Sequence, residues 1–260
     1  MRLEHGDCFE VMERLADEGI QVDCVIADPP YGTTYEKWDE VLPPAELFER
    51  IRPLLKAETP VAVFGTEPMI SEYRLAAKGL YKYDLIWDKG RGVDFMRANY
   101  KPMNCFENIA IFSLGRMTYG KGAVMTYNPQ MLPGTPYKAT QRARKPCSII
   151  RQPLPGLAGP RFNKGERFPL TIIRFNKNAA NKTKHATEKP LDLIEWLVKT
   201  YSDEGGTVLD FCMGSGTTGV ACKRLGRDFI GIEKDKGIFD AAAERINGAR
   251  EELAFFKELV

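Results

Sequence analysis

Apolar residues recur along the chain at two periods. In 8–18 (CFEVMERLADE) the spacing is helical, and in 43–57 Leu47, Ile51, Leu54 and Leu55 share one helical face behind an opening proline. Residues 67–78 predict a helix closed by Gly79. Residues 190–203 place Leu191, Ile194, Leu197, Val198 and Tyr201 on one face, with Pro190 in the first turn and Gly205-Gly206 as the stop. Two further helices are predicted over 217–225 and 236–257. Short apolar runs read as buried strands at 21–27, 60–65, 81–87, 106–114, 207–211 and 228–233. Strands alternating with helices predict an α/β domain built on a mostly parallel sheet.

Composition narrows the class. The chain has 260 residues, 43% hydrophobic and 28% charged. That suits one large or two small globular domains and excludes a collagen, a coiled coil and a wholly disordered chain. No apolar run approaches the roughly 18 residues of a membrane span. The opening MRLEHGDCFE has no apolar h-region, so no signal peptide is expected. The six cysteines (8, 24, 105, 147, 212, 222) form no C-x-x-C pair, and only two histidines are present. No metal site is expected, and the dispersed cysteines imply reduced thiols in a cytosol.

Charge is segregated although the net charge is only +2. Residues 116–185 hold fourteen Lys and Arg against one acid, Glu166, for a net +13; the remainder, with 23 bases and 34 acids, carries −11. A basic segment in an acidic body is the footprint of a polyanion-binding surface. The segment is rich in Pro and Gly, hence loop-heavy. It interleaves Tyr119, Tyr127, Tyr137, Phe162, Phe168 and Phe175, which either stack on bases or pack a small core.

Residues 214–219 read Gly-Ser-Gly-Thr-Thr-Gly after a predicted strand and before a predicted helix, and Glu233 lies 19 residues beyond Gly214 at the end of the next strand. Glycines admit close approach of a ligand, and the carboxylate accepts from ribose hydroxyls. This geometry serves any adenosine ligand. Two features favour S-adenosylmethionine over NAD. Asp210, at the end of the preceding strand, would repel a pyrophosphate but hold an ammonium. Only 27 residues follow Glu233, too few for the second half of a dinucleotide fold. The N-terminal strands must complete the sheet, so the order is permuted.

Asp28-Pro29-Pro30-Tyr31 follows the strand at 21–27. Two prolines fix φ and remove two donors. The Asp28 carboxylate and Pro29 carbonyl are left as rigid acceptors at a strand end, where open α/β sheets bind ligands. An exocyclic amine could give one N–H to each, with Tyr31 as a face for a purine. The same tetrapeptide is also a good turn sequence in its own right.

Taken together, the chain resembles the beta class of DNA amino methyltransferases. The resemblance covers nearly all of the chain outside 116–185. It is carried by Gly6-Asp7, Asp28 to Gly32, Trp87-Asp88-Lys89, Glu107, His185 to Leu191, Asp210 to Thr218 and Gly231 to Glu233, in that order. It implies a Rossmann-like methyltransferase fold: α/β, a mostly parallel twisted sheet flanked by helices, permuted motif order and a loop-rich basic insert. Residues 1–115 would be the catalytic half, 116–185 the target-recognition insert and 186–260 the cofactor half.

The resemblance also implies roles. Gly214, Ser215, Gly216, Thr217 and Thr218 would cradle S-adenosylmethionine, with Asp210 and Phe211 beside them. Glu233 would hold the ribose, Asp7 with the Cys8 backbone the cofactor adenine, and Thr187 and Lys189 the methionine carboxylate. The family usually has Pro then Phe after the strand-ending Asp, whereas this chain has Phe211-Cys212. Catalysis would fall to Asp28, Pro29, Pro30 and Tyr31, acting on a base flipped from double-stranded DNA. Lys37 and Trp38 could close over that base. Asp28 at the first motif position favours adenine N6 over cytosine N4. Pro146-Cys147 resembles the dipeptide of cytosine-C5 enzymes, but it lies in the basic insert and is read as incidental. Beta-class relatives are often dimers, so a homodimer is an expectation, as is a bacterial or phage-infected cytosol. The rival readings are an NAD-binding protein, an RNA or protein amine methyltransferase, and a DNA-binding protein without catalysis.

The DNA contacts are expected among Arg142, Arg144, Lys145, Arg151, Arg161 and Arg167. Replacing Arg142, Arg144 and Lys145 together by Ala should weaken DNA binding severalfold and lower its salt slope; an unchanged slope removes this cluster from the interface.

Overall fold

The computed structural model describes residues 1–32, 40–118, 120–141, 159–176 and 188–250. These divide into two compact units, Met1–Asn128 with Thr171–Val260, and Pro129–Leu170. In chain order the elements are β1 (Arg2–His5), α1 (Cys8–Asp17), β2 (Cys24–Ala27), α2 (Pro44–Ile51), β3 (Pro60–Gly65), α3 (Met69–Ala76), β4 (Tyr81–Val93) and β5 (Asn104–Ser113). There follow β6 (Leu132–Pro133), β7 (Tyr137–Gln141), β8 (Gly159–Asn163), β9 (Glu166–Arg167) and β10 (Ile172–Arg174). The chain continues with α4 (Leu191–Tyr201), β11 (Thr207–Asp210), α5 (Thr217–Arg224), β12 (Asp228–Glu233) and α6 (Lys236–Gly248).

The first unit is built on an eight-stranded sheet, β1-β12-β11-β2-β3-β5-β4-β10, in which only β5 runs antiparallel to its neighbours. The last two long strands of the sequence, β11 and β12, therefore lie between the first two, β1 and β2. This is the permuted order that the motif positions imply.

Alternation along the strands feeds two cores. Val25, Ala27, Val61, Val63, Leu209 and Ile230 join Val11, Leu15, Phe48, Ile51 and Tyr73 of α1–α3 on one face. Cys24, Ile26, Ala62, Phe64, Val208 and Phe229 join Leu193, Leu197, Val220 and Ile246 of α4–α6 on the other. Strands buried on both faces read as continuous apolar runs, which is why their period is hidden.

Several boundaries differ from the sequence expectation. α2 stops at Ile51 and passes into a 3₁₀ turn over Arg52–Leu54, because Pro53 cannot continue an α-helix. α6 ends at Gly248 rather than 257, and residues 251–260 lie outside the described residues. β4 extends to Val93 on residues that are largely exposed and so carry no apolar signal. β10, three residues inside the basic stretch, adds to the main sheet by pairing Ile173 with Trp87. The second unit holds two small antiparallel pairs, β6 with β9 and β7 with β8.

Leu209 is wholly buried in the central strand β11, whereas Leu75 on α3 is 75% exposed. Leu209→Ala should cost about 2–5 kcal/mol in urea unfolding. Leu75→Ala should stay within about 0.5 kcal/mol.

Candidate active site

Parallel pairing aligns the carboxyl ends of four neighbouring strands. His5 stands opposite Glu233, Asp210 opposite Gly231, and Leu209 opposite Val25. Asp7, Glu233, Asp210 and Asp28 follow in that order along one sheet edge, each at or just past a strand end. The crevice outside such ends is where ligands bind in open α/β folds. One side of it is made by the glycine loop and the other by the Asp28-Pro29-Pro30-Tyr31 turn.

On the loop side, Gly214 and Gly216 adopt positive φ of 50° and 77°. A Cβ on Gly214 would meet nothing, whereas one on Gly216 would strike Ile246 at 2.9 Å. Gly214 thus leaves open space and Gly216 a close packing. The Glu233 carboxylate accepts from the Gly214 amide at 3.1 Å and the Asp235 amide at 2.9 Å, tying β12 to the loop. Asp7 caps α1 by accepting from the Phe9 amide at 3.0 Å. Its other oxygen meets Lys234 Nζ at 3.1 Å. Burial and the Asp7 charge push the neighbouring Cys8 thiol up to about 12, so it stays protonated.

Asp210 is buried and accepts from Thr218 Oγ1 at 2.7 Å and the Cys212 amide at 3.2 Å. Burial pushes its carboxyl up to about 7; the two hydrogen bonds oppose that, and the charges of Asp28 and Glu233 add to it. Phe211 is 1% exposed and belongs to the core beside α1–α3, so it offers the crevice no face.

Two residues that sequence reasoning missed hold the loop from behind. Arg245 of α6 donates from Nη1 to the Ser215 carbonyl at 2.9 Å, to Ser215 Oγ at 3.1 Å and to Thr217 Oγ1 at 3.2 Å. It also pairs with Glu188, which accepts from Thr217 Oγ1 at 3.2 Å. An arginine on the polar face of a final helix carries no sequence signal for this task.

On the turn side, Pro29 is buried, and Tyr31 packs against both cores. The Tyr31 hydroxyl donates to Asp28 Oδ1 at 2.5 Å. Burial, then the charges of Asp28 and Glu107, raises this phenol well above its ordinary value, so it remains neutral. Lys189, expected at the methionine carboxylate, has its ammonium here. Its Nζ donates to Asp28 Oδ2 at 2.6 Å and to Tyr31 Oη at 3.2 Å. It stands 5.0 Å from the centre of the Phe64 ring. Burial alone would lower the Lys189 pKa, but Asp28 and Glu107 outweigh it and the net direction is upward.

Of the other expected site residues, Lys37, Arg142, Arg144, Lys145, Arg151 and Thr187 lie outside the described residues, as does Trp38; Arg161 is placed in β8 by its backbone alone. Arg167 is a different case. Its guanidinium donates to the Glu166 carbonyl at 3.0 Å, to the Thr135 carbonyl and to Asn163 Oδ1, and lies 4.8 Å from the centre of the Tyr137 ring. These three acceptors lie inside the second unit, so Arg167 ties Thr135, Asn163 and Glu166 together there. Tyr137, Phe162 and Phe168 of that unit are exposed rather than packed in a core. Among the described residues no cluster of His, Cys, Asp or Glu could hold a metal ion, and no helix is long and apolar enough to cross a membrane.

Comparison with known proteins agrees with this arrangement. The DNA methylase family, of N6 and N4 type, matches residues 22–244. The chain is 26% identical over 264 residues to the Type II methyltransferase M1.MboII of Moraxella bovis, covering 95% of this chain and 94% of that one. Among solved structures it resembles the M1.HpyAVI–SAM complex, with 26% identity, a TM-score of 0.62 and coverage of 94% and 98%. It shares the fold of the cytosine-N4-specific PvuII DNA methyltransferase, at 14% identity, a TM-score of 0.61 and coverage of 98% and 88%. The family match, the permuted sheet and the two motifs facing one crevice lead to one conclusion: the chain belongs to the DNA methylase family of S-adenosylmethionine-dependent amino methyltransferases.

Proposed function

We propose that the protein methylates the exocyclic N6 amine of adenine in double-stranded DNA. The observation that carries this reading is the position of Asp28, an amine acceptor on a rigid turn, one strand away from the glycine loop. The choice of adenine rests on the aspartate at the first motif position, through the resemblance described above.

The residues fit the cofactor. Its adenine amine and ribose hydroxyls are donors, and its ammonium and sulfonium are cations; the crevice offers Asp7, Glu233 and Asp210. Asp210 is the most telling, because a buried carboxyl surrounded by neutral donors and other acids gains most from a cation. When bound, S-adenosylmethionine supplies an electrophilic methyl group. Asp28 and the Pro29 carbonyl accept the two N–H groups of the target amine, which leaves the nitrogen lone pair facing the methyl. Tyr31 supplies a ring for the flipped base, and its hydroxyl and Lys189 fix the Asp28 carboxylate. Orientation of this kind contributes up to roughly 7–11 kcal/mol. The basic stretch 116–185 is the proposed DNA-reading region, with phosphate contacts supplying affinity.

Incubation with unmethylated DNA, followed by digestion to nucleosides and mass analysis, should yield N6-methyladenine. N4-methylcytosine would overturn the choice of base and keep the chemistry; no methylated nucleoside, with cofactor still bound, would overturn the DNA reading. Asp28→Ala should abolish transfer and leave cofactor affinity intact.

Cofactor affinity should depend on pH through Asp210. Its carboxyl is raised to about 7, so the charged form that pairs with an ammonium is lost as pH falls through that value. Calorimetric titration should show binding weakening by about tenfold per pH unit below about 7. Asp210→Asn should bind weakly and without that dependence. A flat wild-type profile would show that Asp210 does not hold the ammonium.

A further inference from the structure

Lys189 is one link in a series of alternating charges. Lys89, near the outer end of β4, meets Glu107 Oε1 at 2.6 Å across the β4–β5 pair. Glu107 Oε2 lies 3.2 Å from Lys189 Nζ, and Lys189 reaches Asp28 Oδ2 at 2.6 Å. Glu107, Lys89 and Lys189 are all largely buried, with side-chain exposures of 12%, 13% and 9%. An ammonium has three donors. Here two go to Asp28 and Tyr31, and the remaining side of the nitrogen faces Glu107.

The contact between Glu107 and Lys189 has a specific character. Glu107 Oε2 is buried and makes no hydrogen bond of acceptable geometry. It lies 3.2 Å from the Lys189 ammonium, an opposite charge in direct contact. Replacing Glu107 by Gln keeps the shape but removes the charge that both Lys89 and Lys189 face, and turns an amide NH2 toward one of the two ammonium groups.

We propose that Glu107 and Lys189 are positioning residues for methyl transfer: Glu107 seats Lys189, and Lys189 holds Asp28 Oδ2, so that the remaining lone pairs of Asp28 face the amine to be methylated. This rests on the reading of Asp28 as the amine acceptor. It departs from the expectation that Lys189 holds the methionine carboxylate, because two of its three donors are engaged on the catalytic side and the third side of its nitrogen faces Glu107. The electrostatics agree in direction. Burial opposes the charge of Glu107, but Lys189 and Lys89 outweigh it and hold its carboxyl below the usual range. The groups facing the pair are Asp28 and Tyr31 from the turn, Lys89 from β4 and the Phe64 ring from β3. Asp210, the last residue of β11, and Cys212, on the loop after it, act on Asp28 and Tyr31 respectively.

The test uses full-length protein, cofactor and substrate DNA. Glu107→Gln should lower kcat by about tenfold or more, with cofactor and DNA Kd within about twofold of wild type. It should also move the alkaline limb of the kcat profile to lower pH, because Lys189 loses one of the two anions that oppose its burial. Lys89→Met should move the acidic limb upward, because Glu107 loses one of its two cations. Asp28→Ala in parallel keeps the two readings apart: if it retains turnover, Asp28 is not the acceptor and the underlying function fails. With Asp28→Ala inactive, a Glu107→Gln enzyme of normal kcat and pH profile overturns the proposal. So does a lower Tm with an unshifted pH profile, which marks a structural role. Loss of cofactor binding in Lys189→Met would overturn it in favour of the methionine carboxylate.

Discussion

Four carboxylates at the ends of four adjacent strands are the constraint around which the site is organised. Asp7, Glu233, Asp210 and Asp28 share one edge because parallel register leaves them no alternative. Each is compensated differently. Asp7 caps a helix and meets a lysine. Glu233 receives two backbone amides. Asp28 receives Lys189 and the Tyr31 hydroxyl. Asp210 has only neutral donors, and burial raises its carboxyl to about 7. Two unit charges about 4 Å apart interact by about 4 kcal/mol at an effective dielectric of 20. An edge of this kind is therefore poised to gain from cationic ligands, and S-adenosylmethionine carries two positive groups.

The β11–β2 pairing turns two separated motifs into one site. Asp28 and Asp210 are far apart in sequence, yet their strands hydrogen-bond to one another through Val208–Cys24 and Leu209–Val25. Chain order is immaterial to that adjacency. Helices α1–α3 cover one face and α4–α6 the other, so each half of the sequence brings its own cover to a shared sheet. The glycines act locally. Gly216 accepts a positive φ that also lets Ile246 of α6 pack tightly beneath the loop. Arg245 on the same helix then fixes the loop backbone by bonding Ser215.

What was legible in the sequence was local. A glycine run between a strand and a helix, and a double proline after a strand, have meaning within a dozen residues. The strands flanking them were read close to their observed limits. The partners were not legible, because partner choice is tertiary. Lys189 lies 161 residues from Asp28 and reaches it only through the tertiary fold. Glu107 and Lys89 were visible as residues of interest, but their pairing depends on the β4–β5 register, in which Trp87 stands opposite Glu107. β10 escaped notice because three residues with one buried side chain carry no measurable period. Arg167 shows the complementary limit: a basic run marks where cations are, and not which of them also bond within their own unit, as Arg167 does to Thr135, Asn163 and Glu166.

The buried charge series gives a last reason to assign it to the reaction rather than to stability. Taking ions out of water costs several kcal/mol each, and buried ion pairs are often replaceable by apolar residues with neutral or favourable effect. Removing one member is different: it strands a partner at a cost of about 3–5 kcal/mol. Lys89, Glu107 and Lys189 would therefore be an expensive way to join β4, β5 and the start of α4, which already share one core through Trp87, Ile109 and Leu193. The series ends on Asp28, the carboxylate proposed to receive the target amine, and its final link occupies one oxygen of that carboxylate while leaving lone pairs free. A stabilising device has no reason to stop there. A device that fixes the direction of an acceptor does.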